Sequence, residues 1–201
     1  ELEARTIHTS FIQRLPWAER RYRHYLPLFP AALARFDLSG YDLVLSSSHC
    51  VAKGARAAAG ARHVCYCHTP MRYVWDRFDD YFGPGRTSPP VRLALRLVSQ
   101  RLRRWDVATA PRVHCFAANS AYVADRIRRY YGREAEVIPP PVDTDFFTPG
   151  EGVRSCISAQ TDRALMQDLT PYDLIVSALV PYKRIDLALE AYRGTGRRLL
   201  I

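Results

Sequence analysis

The chain has 201 residues, 48% of them apolar and 24% charged, with a formal net charge of +9. These proportions suit one large globular domain, or one domain with part of another, and no apolar run approaches the roughly 18 residues of a membrane-spanning helix. Five cysteines, Cys50, Cys65, Cys67, Cys115 and Cys156, form an odd set without a metal-type grouping, which argues against a disulfide framework and fits the reduced thiols of a cytosolic protein.

The chain opens at Glu1 with no initiator Met and no signal-peptide pattern, and it stops inside an apolar run at Ile201. It therefore reads as a fragment of a longer protein. Residues 1–25 are rich in Arg and aromatic side chains, with Pro16 as a break. Pro27 to Phe36 carries Leu28, Ala31, Ala32 and Arg35 at helical spacing, and Gly40 closes the turn after it. Asp42 to Ser46 predicts a buried strand. It runs into Ser46-Ser47-Ser48-His49 and then Lys53-Gly54. Polar side chains after a strand, with a lysine beyond, suit either an anion at the next helix start or the caps of that helix. Ser48, His49 and Lys53 are candidates for a cleft on the first of these readings. Lysine occurs only at positions 53 and 183, against 27 arginines, and lysine is a compact point charge that often partners phosphate.

Val64 to Cys67 is apolar without alternation, which predicts a strand buried on both faces of a parallel sheet. Cys65 and Cys67 then point to the same face. Pro70 cannot continue a sheet ladder, so His68 stands where this strand emerges into a loop. In open α/β sheets ligands bind at the carboxyl ends of the strands. An imidazole there exchanges hydrogen bonds readily near neutral pH. His68 is thus either a site residue or a cap on the strand end. An aromatic-rich stretch, Met71 to Phe82, ends at Gly83-Pro84-Gly85.

Val91 to about Thr109 predicts a helix, with Val91, Leu95, Val98, Leu102 and Trp105 on one stripe and Arg92, Arg96 and Arg103 beside it. Between Arg86 and Arg133, eleven arginines stand against Asp106 and Asp125, a balance of +9 that equals the charge of the whole chain. These arginines face either water or an anionic partner such as a membrane surface. Val113 to Ala118 is a further strand. Asn119-Ser120 opens a helix, Ala121 to Tyr131, with Val123, Ile127 and Tyr130 on one face and Gly132 as its stop. The junction puts backbone N–H groups at the sheet edge, where Asn119 and Ser120 serve a phosphate or sugar, or simply cap the helix.

Glu136 to Ile138 is a short strand, and Pro139-Pro140-Pro141 ends the domain. Asp143 and Asp145 lack the oxygen count of a Mg²⁺ site and read as turn chemistry, so no metal is expected. Residues 148–170 read as a linker or surface excursion. Asp173 to Ser177, Pro181 to Arg184, Ile185 to Tyr192 and Arg198 to Ile201 follow as strand, loop, helix and strand. That order opens a second βαβ unit, with Lys183 and Arg184 where phosphates would bind.

Taken in order, these pieces resemble the group 1 (family 4) nucleotide-sugar glycosyltransferases, a retaining family with the GT-B fold. The motifs are Ile7-His8-Thr9-Ser10-Phe11, Tyr41-Asp42-Leu43-Val44 with Ser46-Ser47-Ser48-His49, Cys67-His68-Thr69-Pro70-Met71-Arg72-Tyr73, Ala118-Asn119-Ser120 with Val123-Ala124-Asp125-Arg126-Ile127, the stretch Pro139 to Phe147, and Ser177 to Asp186. They look most like bacterial mannosyltransferases of surface-polysaccharide assembly. The resemblance implies an α/β architecture of two Rossmann-like domains facing a cleft. Residues 1–147 would be the later part of the acceptor-side domain, and 171–201 the start of the nucleotide-sugar domain.

On this resemblance His68 matches the family's cleft histidine, and Lys183 matches the lysine that neutralises the donor diphosphate. The family usually has Arg five residues before that lysine. Here Ala178 stands there, and Arg184 is the candidate substitute. The family's paired glutamates would lie beyond Ile201, so this segment alone is expected to be inactive. The implied substrates are a nucleotide sugar, GDP-mannose supplying mannose, and a lipid-linked or saccharide acceptor. No metal or other cofactor is implied. The implied location is cytoplasmic, at the inner membrane face through Arg92, Arg96 and Arg103. A rival reading is a non-catalytic binding or scaffold protein built on half of such an enzyme. Nucleic-acid binding lacks any recognisable reading motif.

Overall fold

Proline sets the form of the first segment. Residues 11–33 fold as 3-10 turns, Phe11–Arg14 and Tyr22–Leu28, alternating with two short helices, α1 (Ala18–Arg21) and α2 (Phe29–Leu33). The helix expected over Pro27 to Phe36 is therefore shorter. Pro27 lies in the 3-10 turn, and Pro30 occupies the first turn of α2, where its missing N–H leaves no bond unmade. The computed structural model describes residues 6–146, 172–179 and 183–201. The chain divides into two compact units, 1–140 and 141–201, at Pro140–Pro141 within the proline run.

The first unit is built on a parallel sheet of β1 (Leu43–Ser48), β2 (Arg62–Cys67), β3 (Cys115–Ala118) and β4 (Ala135–Val137), in that order. The register sets Ser46 beside Cys65, Cys65 beside Phe116, and Phe116 beside Ala135. Parallel neighbours need crossovers. The β2–β3 crossover carries α3 (Arg72–Trp75), α4 (Phe78–Phe82) and α5 (Pro89–Thr109), and the β3–β4 crossover is α6 (Ala121–Tyr131). Helix α6 has the two ends its sequence calls for. Ser120 Oγ accepts the Val123 N–H at 3.3 Å, and Gly132 takes a left-handed φ of 62°, its N–H bonding Arg128 O at 3.0 Å.

The core lies on one face of this sheet. Cys65, Cys67, Phe116 and Ala118 pack there against Val123, Ala124, Ile127 and Tyr131 of α6. A second cluster joins Met71 and Val74 to Leu102 of α5. The strand expected at Val64 to Cys67 to be buried on both faces is buried fully on one, through Cys65 and Cys67, and half-buried on the other, through Val64 and Tyr66. Burial alternates along β1 and β2, and on the other face Leu43 and Leu45 are exposed, Leu45 by 72%. Ala117 of β3, beside Tyr66 on that other face, is buried.

The second unit pairs β5 (Tyr172–Leu174) with β6 (Arg198–Leu200) in parallel across α7 (Ile185–Tyr192), a βαβ arrangement. Pro181 and Tyr182, Phe147 and the segment expected as a linker lie outside the described residues. Among the described residues, no helix is long and apolar enough to cross a membrane.

Candidate functional site

The carboxyl ends of β1, β2 and β3 lie side by side, because the register pairs Ser48 with Cys67 and Cys67 with Ala118. His49, His68 and Asn119 each follow the last residue of one of these strands. Three of the sequence candidates thus share one edge of the sheet. His68 is fixed there twice: its N–H donates to Ser48 O at 2.8 Å, and its Nε2 is 2.8 Å from Ser47 Oγ. The Tyr66 ring meets the imidazole edge-on at 5.2 Å between centroids. The ring remains exposed to solvent, held but not enclosed.

The loop after His68 is anchored from below. Pro70, Met71 and Val74 are buried, and the Met71 carbonyl accepts the N–H groups of Val74 and Trp75. Arg126, only 5% exposed, reaches from α6 to form an ion pair with Asp76, and its Nη2 also donates to Pro70 O at 3.3 Å. Tyr122 and Tyr130 flank the guanidinium at 5.8 and 5.1 Å. Both ends of the segment from Pro70 to Asp76 are tied to one buried cation. Arg126 and Ser47 were not among the sequence candidates. An Arg at helical spacing between Val123 and Ile127, on the apolar face of α6, was the available signal for the first. The strand phase of β1, unknown until the sheet is seen, was needed for the second.

Two candidates turn the other way. Ser48 is buried, accepts the Lys53 N–H at 3.2 Å and donates to Cys50 O at 3.4 Å, so it closes the turn after β1. Lys53 is 1% exposed, and its Nζ sits 3.0 Å from Asp106 Oδ1 and 2.9 Å from Thr109 Oγ1. Trp75 Nε1 and Tyr131 OH donate to the other Asp106 oxygen at 2.8 and 2.9 Å. Burial lowers the Lys53 pKa, against the opposing pull of Asp106. The expectation of Lys53 and Ser48 as cleft residues is therefore corrected. A lysine committed to an interior carboxylate has no charge to offer a phosphate at the sheet edge. The turn can come this close to α5 because residue 54 is glycine: a Cβ there would meet the Trp105 ring at 2.5 Å.

Other candidates carry local roles. Ser120 caps α6, and its hydroxyl donates to Asn119 Oδ1 at 3.2 Å. Burial pushes the Cys50 thiol up to about 11, which keeps it protonated beside Tyr73 OH at 2.7 Å. The Asp143 carboxylate accepts the N–H groups of Asp145 and Phe146 at 3.2 and 3.0 Å, the turn chemistry expected of that Asp-x-Asp pair. In the second unit Lys183 and Arg184 are exposed at the start of α7. Arg184 adopts a left-handed backbone and clasps Asp186, with Nη2–Oδ2 at 2.8 Å. The basic stripe of α5 is partly occupied. Arg103 donates to the carbonyls of Val74 and Trp75, Arg92 pairs with Asp79 at 2.8 Å, and Arg96 lies over Phe78.

In open α/β sheets this carboxyl edge is where ligands bind. Residues 1–146 match the family model described as Glycosyltransferase Family 4. The chain belongs to glycosyltransferase family 4. Its α/β class and parallel sheet are those of a Rossmann-like GT-B domain. Membership assigns the general reaction, glycosyl transfer from a nucleotide-sugar donor to an acceptor. No curated protein and no solved structure matches the chain.

Proposed function

We propose that the full-length family 4 protein transfers a hexose, mannose from GDP-mannose in the first instance, with retention of configuration, to a lipid-linked or saccharide acceptor in cell-surface polysaccharide synthesis. The observation that supports this most is His68, held at the carboxyl edge of the sheet by Ser47 and by the anchored loop behind it. In this reading His68 contacts the donor sugar near its reacting carbon. Lys183, with Arg184, neutralises the diphosphate that leaves, without a metal ion. Placing cations where charge develops lowers the barrier more than binding the ground state does. The acceptor attacks the face from which the diphosphate departs, and a phosphate oxygen takes its proton. His49 and Asn119 line the edge on which the acceptor approaches.

A screen of nucleotide sugars with the full-length protein tests the reading. Transfer from GDP-mannose that is lost in His68→Ala and Lys183→Ala, with folding unchanged, supports it. Full turnover in His68→Ala removes that residue from its role. A second reading, a non-catalytic binding protein, is favoured by Ala178 in the usual arginine position and by the commitment of Arg184 to Asp186. It requires that no nucleotide sugar be consumed while a saccharide or nucleotide still binds.

A further inference from the structure

We propose that Tyr66 is a positioning residue for His68, and that its hydroxyl makes the setting of the imidazole depend on where the chain leaves the sheet at Ile138. This rests on the role of His68 at the donor sugar proposed above, and it adds a side chain which that role does not use.

The imidazole is set from two sides. Ser47, the register partner of Tyr66 in β1, holds Nε2 at 2.8 Å through its hydroxyl. The Tyr66 ring meets the imidazole edge-on, with centroids 5.2 Å apart and planes at 82°. The hydroxyl fixes one ring nitrogen, and the aromatic edge limits rotation of the ring plane. Cys65 and Cys67 face α6, so Tyr66 stands on the opposite face of β2.

Tyr66 is itself fixed at its far end. Its OH donates to Ile138 O at 2.9 Å, beyond β3 and at the end of β4. The register puts Ala117 of β3 between Tyr66 and Glu136 of β4. A methyl group at that position leaves room for the ring to cross the strand. Tyr66 is only half-buried, so desolvation does not demand an internal partner for this hydroxyl. The bond nonetheless spans the sheet to one particular carbonyl.

That carbonyl stands where the sheet releases the chain. The Ile138 N–H donates to Ala118 O at 2.8 Å, continuing the pairing of β4 with β3. Pro139, Pro140 and Pro141 follow and have no N–H with which to extend it. The boundary between the two compact units falls at Pro140–Pro141. A proline run is stiff and extended, so a displacement of the chain beyond it reaches Ile138 instead of being absorbed on the way. From Ile138 O it reaches the imidazole through one side chain.

The test uses the full-length protein labelled with ¹⁵N-histidine. The ring-nitrogen signals of His68, assigned with His68→Gln, report its tautomer and its hydrogen bond without any transfer taking place. Tyr66→Phe keeps the ring and loses only the hydroxyl, whereas Tyr66→Leu loses both. The His68 signals should move towards those of a freely rotating imidazole in Tyr66→Phe, and further in Tyr66→Leu. Pro139→Gly, which loosens the exit, should move them when Tyr66 is present and not in the Tyr66→Phe background. In turnover, Tyr66→Phe should lower kcat about fivefold with the donor KM little changed. Thermal unfolding checks that each variant is folded, and Tyr66→Phe with Pro139→Gly decides the matter if Tyr66→Leu is not. His68 signals unchanged in folded Tyr66→Phe, or an equal response to Pro139→Gly in both backgrounds, overturns the proposal. Because the signals are read without transfer, a protein that consumes no nucleotide sugar but shows these shifts removes the role of His68 and supports its positioning by Tyr66.

Discussion

Ser47 Oγ and His68 Nε2 lie 2.8 Å apart across the carboxyl ends of β1 and β2. Successive side chains of a strand point to opposite faces, so Ser47 reaches His68 while its neighbour Ser48 turns inward to the Lys53 turn. One residue of phase separates a positioning hydroxyl from a structural one. Ser47→Ala in the full-length protein should lower kcat about five- to tenfold with KM little changed, the cost of one hydrogen bond of about 1 kcal/mol. Ser48→Ala should instead lower the melting temperature. Steady-state kinetics on both variants decides this, and a kcat unchanged in Ser47→Ala would separate the hydroxyl from the chemistry.

The Lys53–Asp106 pair joins the turn after β1 to α5, and through Trp75 and Tyr131 to α3 and α6. Removing one partner leaves a buried charge. Asp106→Ala should therefore destabilise the protein by about 3–5 kcal/mol, and Lys53→Met/Asp106→Leu by much less than the single change. Urea unfolding of the three proteins measures the difference. Equal losses in the single and double variants would mean that packing, not charge pairing, dominates the site.

Arg126 ties Asp76 and Pro70 to α6, so it governs the loop that carries His68. Arg126→Lys keeps the charge but not the planar fork that spans two acceptors. Cleavage between His68 and Asp76 under limited proteolysis should be at least about fivefold faster in this variant, the equivalent of about 1 kcal/mol. Unchanged cleavage would show that the loop is held by Met71 and Val74 alone.

His63 is buried with its Nε2 2.9 Å from Ser46 Oγ, and burial, then the nearby His114 and Lys53, hold its pKa below the ordinary 6.5. As pH falls through 6.5 the unfolded chain takes up a proton that the folded chain refuses. The unfolded state then binds more protons, so stability is greatest above that pH and declines as pH drops towards the folded pKa, by up to about 1.4 kcal/mol per pH unit. His63→Gln should flatten this part of the profile. Parallel wild-type and variant curves of unfolding free energy between about pH 7.5 and 5.5 would remove His63 as the cause.

Local chemistry alone determined much of this molecule. Ser120 and Gly132 delimit α6 because a cap hydroxyl and a left-handed glycine act within a few residues. Pro70 stops β2 near its expected end, Ile185 to Tyr192 forms the helix expected between two strands, and the ordered motifs within residues 1–146 marked the family. What the sequence could not supply was direction. Lys53 and Lys183 look alike as isolated cations in an arginine-rich chain. Only the crossing of α5 brings Asp106, fifty-three positions away, to Lys53 and withdraws its charge from the sheet edge. Likewise only the pairing of β1 with β2 decides that Ser47, not Ser48, meets His68, because the facing of a strand depends on its neighbours and not on its own residues.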